Sequence, residues 1–229
     1  MDNLNSRANQ GGPYEILRLR CFVLIKRKAR IIRQVKSWKL KKDYLNSIVK
    51  LAKIIDANDT YTRGHCSKVM KYSLTISRKL DLPSKEIKII KIASILHDIG
   101  KVGIDLSILR KPGKLSESDW EKIKLHPEIG AKIVEEAGLL DEVGPIVRHH
   151  HARYEGGGYP DPDICNTKIP IGSRIISVAD AFDAMTSNRP YRKAMPKEEA
   201  LAELDRCSGK QFDPEVVEAF TSFQLGGGI

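Results

Sequence analysis

The sequence predicts an all-α protein. Apolar residues recur at steps of three and four along most of the chain. Prolines and glycines fall between those stretches, and no segment alternates convincingly as a half-buried strand would.

The elements follow in chain order. Residues 1–13 are polar and contain glycine, without the basic-then-apolar layout of a secretory signal. They read as a disordered lead-in, or as the edge left where an upstream domain was removed. Residues 14–55 contain no Gly or Pro and read as one basic helix. Ile31, Val35, Trp38, Leu45, Val49 and Ala52 give it a narrow apolar stripe of coiled-coil type. Such a helix could pack on its own domain. It could instead form a homodimer or connect to an upstream sensor domain, or meet anionic lipid or nucleic acid through its basic face.

Residues 56–229 form the remaining domain. A helix should carry His65 and run through Val69, Leu74 and Ile76 to Leu80, ended by Asp81-Leu82-Pro83. The next, from Ser84 to His97, has Ile87, Ile90, Ile92 and Ile95 as its apolar positions and leads into Asp98-Ile99-Gly100-Lys101, where glycine permits a turn. Lys111-Pro112-Gly113 is a turn. Ser116 and Asp119 have capping-box spacing for a helix leading towards His126, and Pro127 can start another. A helix from Leu139 to His151 leads into Gly156-Gly157-Gly158. Pro170 precedes a helix through Ile175, Val178, Phe182 and Met185, Pro196 opens another, and Asp213-Pro214 caps and opens the last.

Charge narrows the function classes. The formal net charge is +10, but residues 18–42 hold 11 Lys or Arg and no acid, leaving 28 basic against 29 acidic residues elsewhere. A body balanced in this way is not built as a general nucleic-acid binder, so no specific nucleic acid is expected as a partner. No apolar run approaches the roughly 20 residues of a membrane span, which leaves at most peripheral membrane contact. Cys21, Cys66, Cys165 and Cys207 form no CxxC pair and read as reduced thiols of a cytoplasmic protein.

The chemistry lies in the histidines. All six (His65, His97, His126, His149, His150 and His151) fall beside turns or helix ends, among carboxylates. Imidazole with carboxylate suits Fe, Mn or Zn. His97 and Asp98 let one turn offer a nitrogen and a bridging oxygen. Asp180 follows an apolar run, so its half-buried carboxylate needs a cation or donors. Asp183 lies one helical step further on the same face.

The spacing of His65, His97-Asp98 and Asp180 resembles the ligand set of the HD superfamily of metal-dependent phosphohydrolases. The order His97-Asp98-Ile99-Gly100-Lys101, Leu109 to Leu115, His126-Pro127, His150-His151, Gly158-Tyr159-Pro160, Ala179 to Ala184 and Arg189-Pro190-Tyr191-Arg192 resembles the HD-GYP family, the bacterial cyclic di-GMP phosphodiesterases. The resemblance spans residues 56–220 and implies an HD-domain-like helical bundle behind the N-terminal basic helix. It implies His65, His97, Asp98 and Asp180 as the shared metal shell, with His126, His150 and His151 holding a second ion. It further implies hydrolysis of cyclic di-GMP to pGpG, or onward to GMP, by a hydroxide bridging two divalent ions. Fe or Mn suits this ligand mix, with Zn or Ni also compatible. Lys101, one turn beyond Asp98, would donate to a phosphate oxygen or the leaving group as a catalytic residue alongside Asp98. Tyr61 occupies the position of a glutamate that helps some members hold a third ion, so two ions are expected.

For the substrate, Arg189 and Arg192 would grip phosphate or base, Tyr159 would stack or hydrogen-bond, Asp183 would meet a guanine edge or support a ligand, and Lys111 with Arg110 would line the phosphate path. Two positions depart from the family's His-His-Glu, two residues, Asp-Gly pattern: Ala152 replaces the glutamate and Glu155 the aspartate. The lost carboxylate could have oriented a ligand, so these changes bear on activity rather than on metal binding. His149, about 100° around a helix from His150, is not expected to be a ligand. Two alternatives stay open: an HD hydrolase of another cyclic dinucleotide, and a catalytically weak cyclic di-GMP-binding signalling module.

Overall fold

The computed structural model describes residues 23–24, 43, 46–52, 64–111, 113–136, 141–188 and 193–225. The lead-in, most of the basic helix, Tyr61, Arg189 and Arg192 lie outside the described residues. Apart from an isolated bridge between Ser208 and Phe212, every regular element among the described residues is helical. None of these helices is long and apolar enough to cross a membrane.

Helix α1 (His65–Lys79) starts directly at the first histidine, behind Gly64, whose φ of 81° lies in the left-handed region. Helix α2 (Ser84–Leu96) begins after Pro83 and stops at His97. A 3-10 turn, Ile99–Gly103, follows, then α3 (Leu106–Leu109). Helix α4 (Glu117–Ile123) carries the complete Ser116–Asp119 capping box, so that sequence signal has its expected structure. Helix α5 (His126–Glu136) starts on its histidine. Helix α6 (Val143–Arg148) is shorter than the helix expected to His151; His150 and His151 sit in the turn after it. Helices α7 (Ile171–Thr186), α8 (Lys197–Arg206) and α9 (Pro214–Leu225) complete the chain, with Asp213 Oδ1 accepting the Glu215 N–H to cap α9.

The core lies where α1, α2, α7 and α9 meet. Val69, Ile76, Ile90, Leu96, Ile175, Ile176 and Phe220 are buried there. Tyr72 of α1 meets Phe182 and Phe220 edge-on at 5.2 and 5.6 Å between ring centroids, and Phe182 meets Phe220 at 4.8 Å. Each such buried side chain contributes about 1.5–3 kcal/mol, which holds α7, and thus Asp180, against α1. Residues 46–52 are helical and bury Ile48 and Ala52 in the same core. This end of the N-terminal helix therefore packs on its own domain.

Gly100 has a different reason from the one its sequence context suggests. Its φ is not positive; a Cβ there would lie 1.8 Å from the His126 carbonyl oxygen and 2.6 Å from Gly130 N. The 3-10 turn and α5 touch through backbone, and that contact brings His97-Asp98 up to His126. Gly100→Ala is expected to force the two apart, lower stability by about 1–3 kcal/mol as overpacking does, and weaken metal retention. Thermal unfolding with metal analysis checks this; an alanine variant with unchanged melting and metal content would remove the close approach from the account.

Candidate metal centre

Five histidines and two aspartates converge from five places in the chain: His65 opens α1, His97 and Asp98 follow α2, His126 opens α5, His150 and His151 follow α6, and Asp180 lies within α7. His65, His97 and His150 form a row of ring-to-ring contacts, 5.3 Å and then 5.2 Å between centroids. His126 and His151 complete the row, 5.2 and 4.0 Å from His150. The donor atoms fall into two groups that could each hold an ion: His65, His97 and Asp98, and His126, His150 and His151.

Asp98 joins the groups. Its Oδ2 lies 3.6 Å from His97 Nε2 and its Oδ1 lies 3.3 Å from His126 Nε2. Asp180 Oδ1 lies 3.2 Å from His65 Nε2.

The hydrogen bonds behind the rings set their tautomers. His97, His126 and His150 each donate Nδ1–H to the carbonyl three residues earlier, at Ser94, Ile123 and Val147, over 2.8, 2.7 and 2.7 Å. Each ring therefore aims an Nε2 lone pair into the centre. His97 Nε2 is buried without a hydrogen-bond partner, and His126 Nε2 faces His150 Nε2 at 3.3 Å. Buried acceptors facing each other need a cation between them. The donor set fits bound metal.

Electrostatics keep most of the imidazoles ligand-competent. Burial pushes His126 down to about 3 and His151 down to about 4 against the opposing charge of Asp98, and drives His150 well below its ordinary range. Burial alone would raise Asp98 and Asp180, but Lys101 and the histidines around Asp98, and His65 beside Asp180, hold both carboxyls ionised. At His65 burial is overcome by hydrogen bonds to Asp180 and Asp183, which raise it to about 10. That position has the strongest pull on positive charge.

Asp183 is set behind the site. Its Oδ2 accepts from His65 Nδ1 at 2.7 Å, and its Oδ1 meets Ser187 Oγ at 3.1 Å and Lys68 Nζ at 3.2 Å. Both oxygens are engaged on a side chain only 4% exposed, and the pairing fixes the plane of the His65 ring. Lys101 Nζ lies 2.5 Å from Asp98 Oδ2, at the mouth of the centre.

Lys111 carries an ion pair of its own. Its ammonium sits 2.6 Å from Asp119 Oδ2, on the cap of α4, and with Ser116 holds that carboxyl down at about 2. Lys111→Ala is expected to leave the KM for a phosphodiester substrate within about twofold while the Asp119 carboxyl rises towards the ordinary 3.9. Carboxylate titration by NMR beside steady-state kinetics checks both; a large KM rise would return Lys111 to the substrate path.

Tyr159 leans over the centre, its ring 4.8 Å from the His151 ring and tilted by 30°. Burial, then the charges of Asp98 and Asp180, push its hydroxyl far above the ordinary phenol, so it stays a donor. The approach requires Gly158, where a Cβ would lie 2.5 Å from Arg153 N and 2.6 Å from the His151 carbonyl oxygen. Ala152 is buried in the same turn, and Glu155 pairs with Arg153 at 2.6 Å on the surface. His149 turns away: its Nδ1 faces the Pro145 carbonyl and its Nε2 faces Asp161 Oδ2, each at 2.8 Å. Asp161 was not legible as a site residue; an acid just after Gly-Tyr-Pro gives no signal until the fold brings it to His149 and Arg148.

A helical bundle with a histidine–aspartate centre of this kind defines an HD-domain protein. The family model described as "HD domain" matches residues 13–216, and the chain belongs to that family. Within it the chain is of the HD-GYP kind. It is 38% identical over 175 residues to the cyclic di-GMP phosphodiesterase response regulator RpfG of Xanthomonas campestris, covering 76% of this chain and 46% of that protein. It is 37% identical over 185 residues to a cyclic di-GMP phosphodiesterase of Thermotoga maritima, covering 80% of this chain and 50% of that one. The crystal structure of a cyclic GMP-AMP-specific phosphodiesterase of Vibrio cholerae, V-cGAP3, superposes with a TM-score of 0.50 at 34% identity, covering 80% of this chain and 41% of that one. The chain spans about half the length of the curated relatives it matches.

Proposed function

We propose that the chain is a metal-dependent phosphodiesterase that hydrolyses cyclic di-GMP to pGpG, or onward to GMP. One observation carries this reading: the Asp98 carboxylate faces one histidine group with each oxygen, the arrangement of a ligand shared by two cations. His65, His97, Asp98 and Asp180 would hold one ion and His126, His150, His151 and Asp98 the other, with Fe or Mn best suited to the donors. When bound, two such ions supply Lewis acidity at phosphorus and an ionised water at neutral pH.

The chain's own residues do the rest. Asp98 fixes the spacing of the two groups. Lys101 places an ammonium beside Asp98, where it can neutralise a phosphate oxygen or protonate the leaving oxygen. Asp183 locks the His65 ring. Tyr159 presents an aromatic face for a base and a phenolic donor, and Arg189 and Arg192 are assigned to the phosphates by their place in the family motif. A cytoplasmic location belongs to this reading, in keeping with Cys66, Cys165 and Cys207 forming no disulfide among the described residues. So do an input from an upstream sensor domain and a homodimer through the N-terminal helix.

A second reading, hydrolysis of 3'3'-cGAMP, is favoured by the likeness to V-cGAP3. Protein purified without oxygen, assayed for metal and given cyclic di-GMP, 3'3'-cGAMP and cyclic di-AMP in parallel distinguishes them. Faster turnover of cyclic di-GMP is expected. Binding without product over hours would make the chain a signalling module instead.

A further inference from the structure

We propose that Asp161, held by Arg148 and His149, is a positioning residue that sets the Tyr159 ring over His151. The inference rests on the reading of Tyr159 as a substrate contact.

The loop from Arg153 to Pro162 has reason to need an anchor. It contains three consecutive glycines, and Gly156 and Gly157 adopt φ of 98° and 76°. Such a run loses more conformational freedom on ordering than any other sequence. The first half of the loop is tied through its backbone, Tyr154 N and Glu155 N to the Gln211 and Lys210 carbonyls over 3.0 and 2.8 Å and Gly157 N to the Pro162 carbonyl over 2.8 Å, but Tyr159 N reaches the His151 carbonyl only over 3.4 Å. Ala152 offers no polar group where the family pattern has a carboxylate.

A side-chain clamp supplies what the backbone lacks. Arg148 donates from Nε to Asp161 Oδ2 at 2.7 Å and from Nη2 to Asp161 Oδ1 at 2.9 Å. His149 Nε2 meets the same Oδ2 at 2.8 Å. A bidentate guanidinium fixes both position and plane of its carboxylate. The geometry is that of a short lever. Arg148 ends α6, His149 directly precedes His150 and His151, and Asp161 lies two residues after Tyr159. The clamp therefore ties the tyrosine to the segment that bears the histidine beneath it.

The Arg148 and Asp161 side chains are 31% and 40% exposed. Ion pairs this exposed add little to global stability, so the clamp can be cut without unfolding the domain. Its effect falls on loop geometry.

The test pairs amide exchange at Gly157 and Tyr159 with KM for cyclic di-GMP, in Asp161→Ala, Tyr159→Ala and the double variant. Asp161→Asn serves as a shape-conserving check. In Asp161→Ala both amides should exchange about tenfold faster or more with global melting nearly unchanged. KM should rise about five- to tenfold, as it does when a stacking face is lost. The double variant should be no worse than Tyr159→Ala, because the two residues act as one unit. Unchanged exchange, or effects that multiply in the double variant, would overturn the proposal. If the wild type turns over no cyclic dinucleotide, the functional reading fails. The exchange result then decides the clamp by itself: faster exchange supports it and unchanged exchange overturns it.

Discussion

Asp98→Asn is expected to abolish phosphodiester hydrolysis and to cost the protein at least one of the two metal ions proposed for it. An amide keeps the size of the carboxylate but offers one neutral oxygen where two charged ones face His97 and His126. In the proposed site the two histidine groups would then no longer share a carboxylate, and two cations held beside each other would repel without an anion between them. Lys101 also loses the negative charge of its Asp98 partner. Loss of at least about 4 kcal/mol of transition-state stabilisation, a thousandfold in rate, is the expected scale. Asp180→Asn should differ: Asp180 Oδ1 lies 3.2 Å from His65 Nε2 and is not part of the His126, His150 and His151 group, so an ion held there should remain. Metal content by elemental analysis and single-turnover assays on the same samples measure both. An Asp98→Asn protein with two ions and activity within tenfold of wild type is incompatible with a bridging role.

Acidification of the metal-stripped protein should begin to destabilise it at a pH well above the carboxylate range and largely unfold it near pH 4–5. His126 and His151 titrate in the folded state at about 3 and about 4, and His150 is lowered as well, all chiefly through burial. In the unfolded chain the ordinary value is about 6.5. Folded values lie below unfolded ones, so as pH falls below about 6.5 the unfolded chain binds more protons and stability drops. Each such group removes about 1.4 kcal/mol per pH unit in that window, so three together remove about 4 kcal/mol per unit. His65 acts in the opposite sense. Burial opposes its charge, but Asp180 and Asp183 raise it to about 10, so its contribution is full below 6.5 and is lost as pH rises through 10. It therefore cannot offset a further fall on the acid side. Against a total of about 5–15 kcal/mol, the stripped protein should be largely unfolded near pH 4–5. Bound metal should shift the midpoint downward, because a cation on Nε2 does not bind the unfolded chain as well. Urea titrations at pH 5, 6, 7 and 8 with and without chelator measure the slope. A flat profile between pH 7 and 5 in chelator would mean that the imidazoles are not buried as neutral ligands.

The two predictions rest on different depths of information. The first starts from an HD dipeptide, a pattern written in adjacent residues. The second starts from burial, which no histidine spacing reveals. The same division runs through the fold. The helix boundaries at Pro83, Ser116 and Asp213 were legible because capping and proline effects act over one turn of local backbone. The helix expected to reach His151 ends instead at Arg148. Placing His150 and His151 in a turn lets both neighbours face the same centre, which adjacent positions on a helix do not.

What the sequence determined by itself is the all-α class, the motif order of the HD-GYP family and the donor types. Those depend on residue identity and on contacts within a few positions. Only the tertiary structure showed the contacts of Gly100, Asp183, Lys111 and Asp161. Gly100 is glycine because the His126 carbonyl lies against it, and Asp183 backs His65 across 118 residues of chain. Lys111 pairs with Asp119, and Asp161 on the loop pairs with Arg148. Each of these is a pairing between a polar group or backbone surface and a partner supplied by packing. Such a pairing leaves no periodicity or motif in either segment alone.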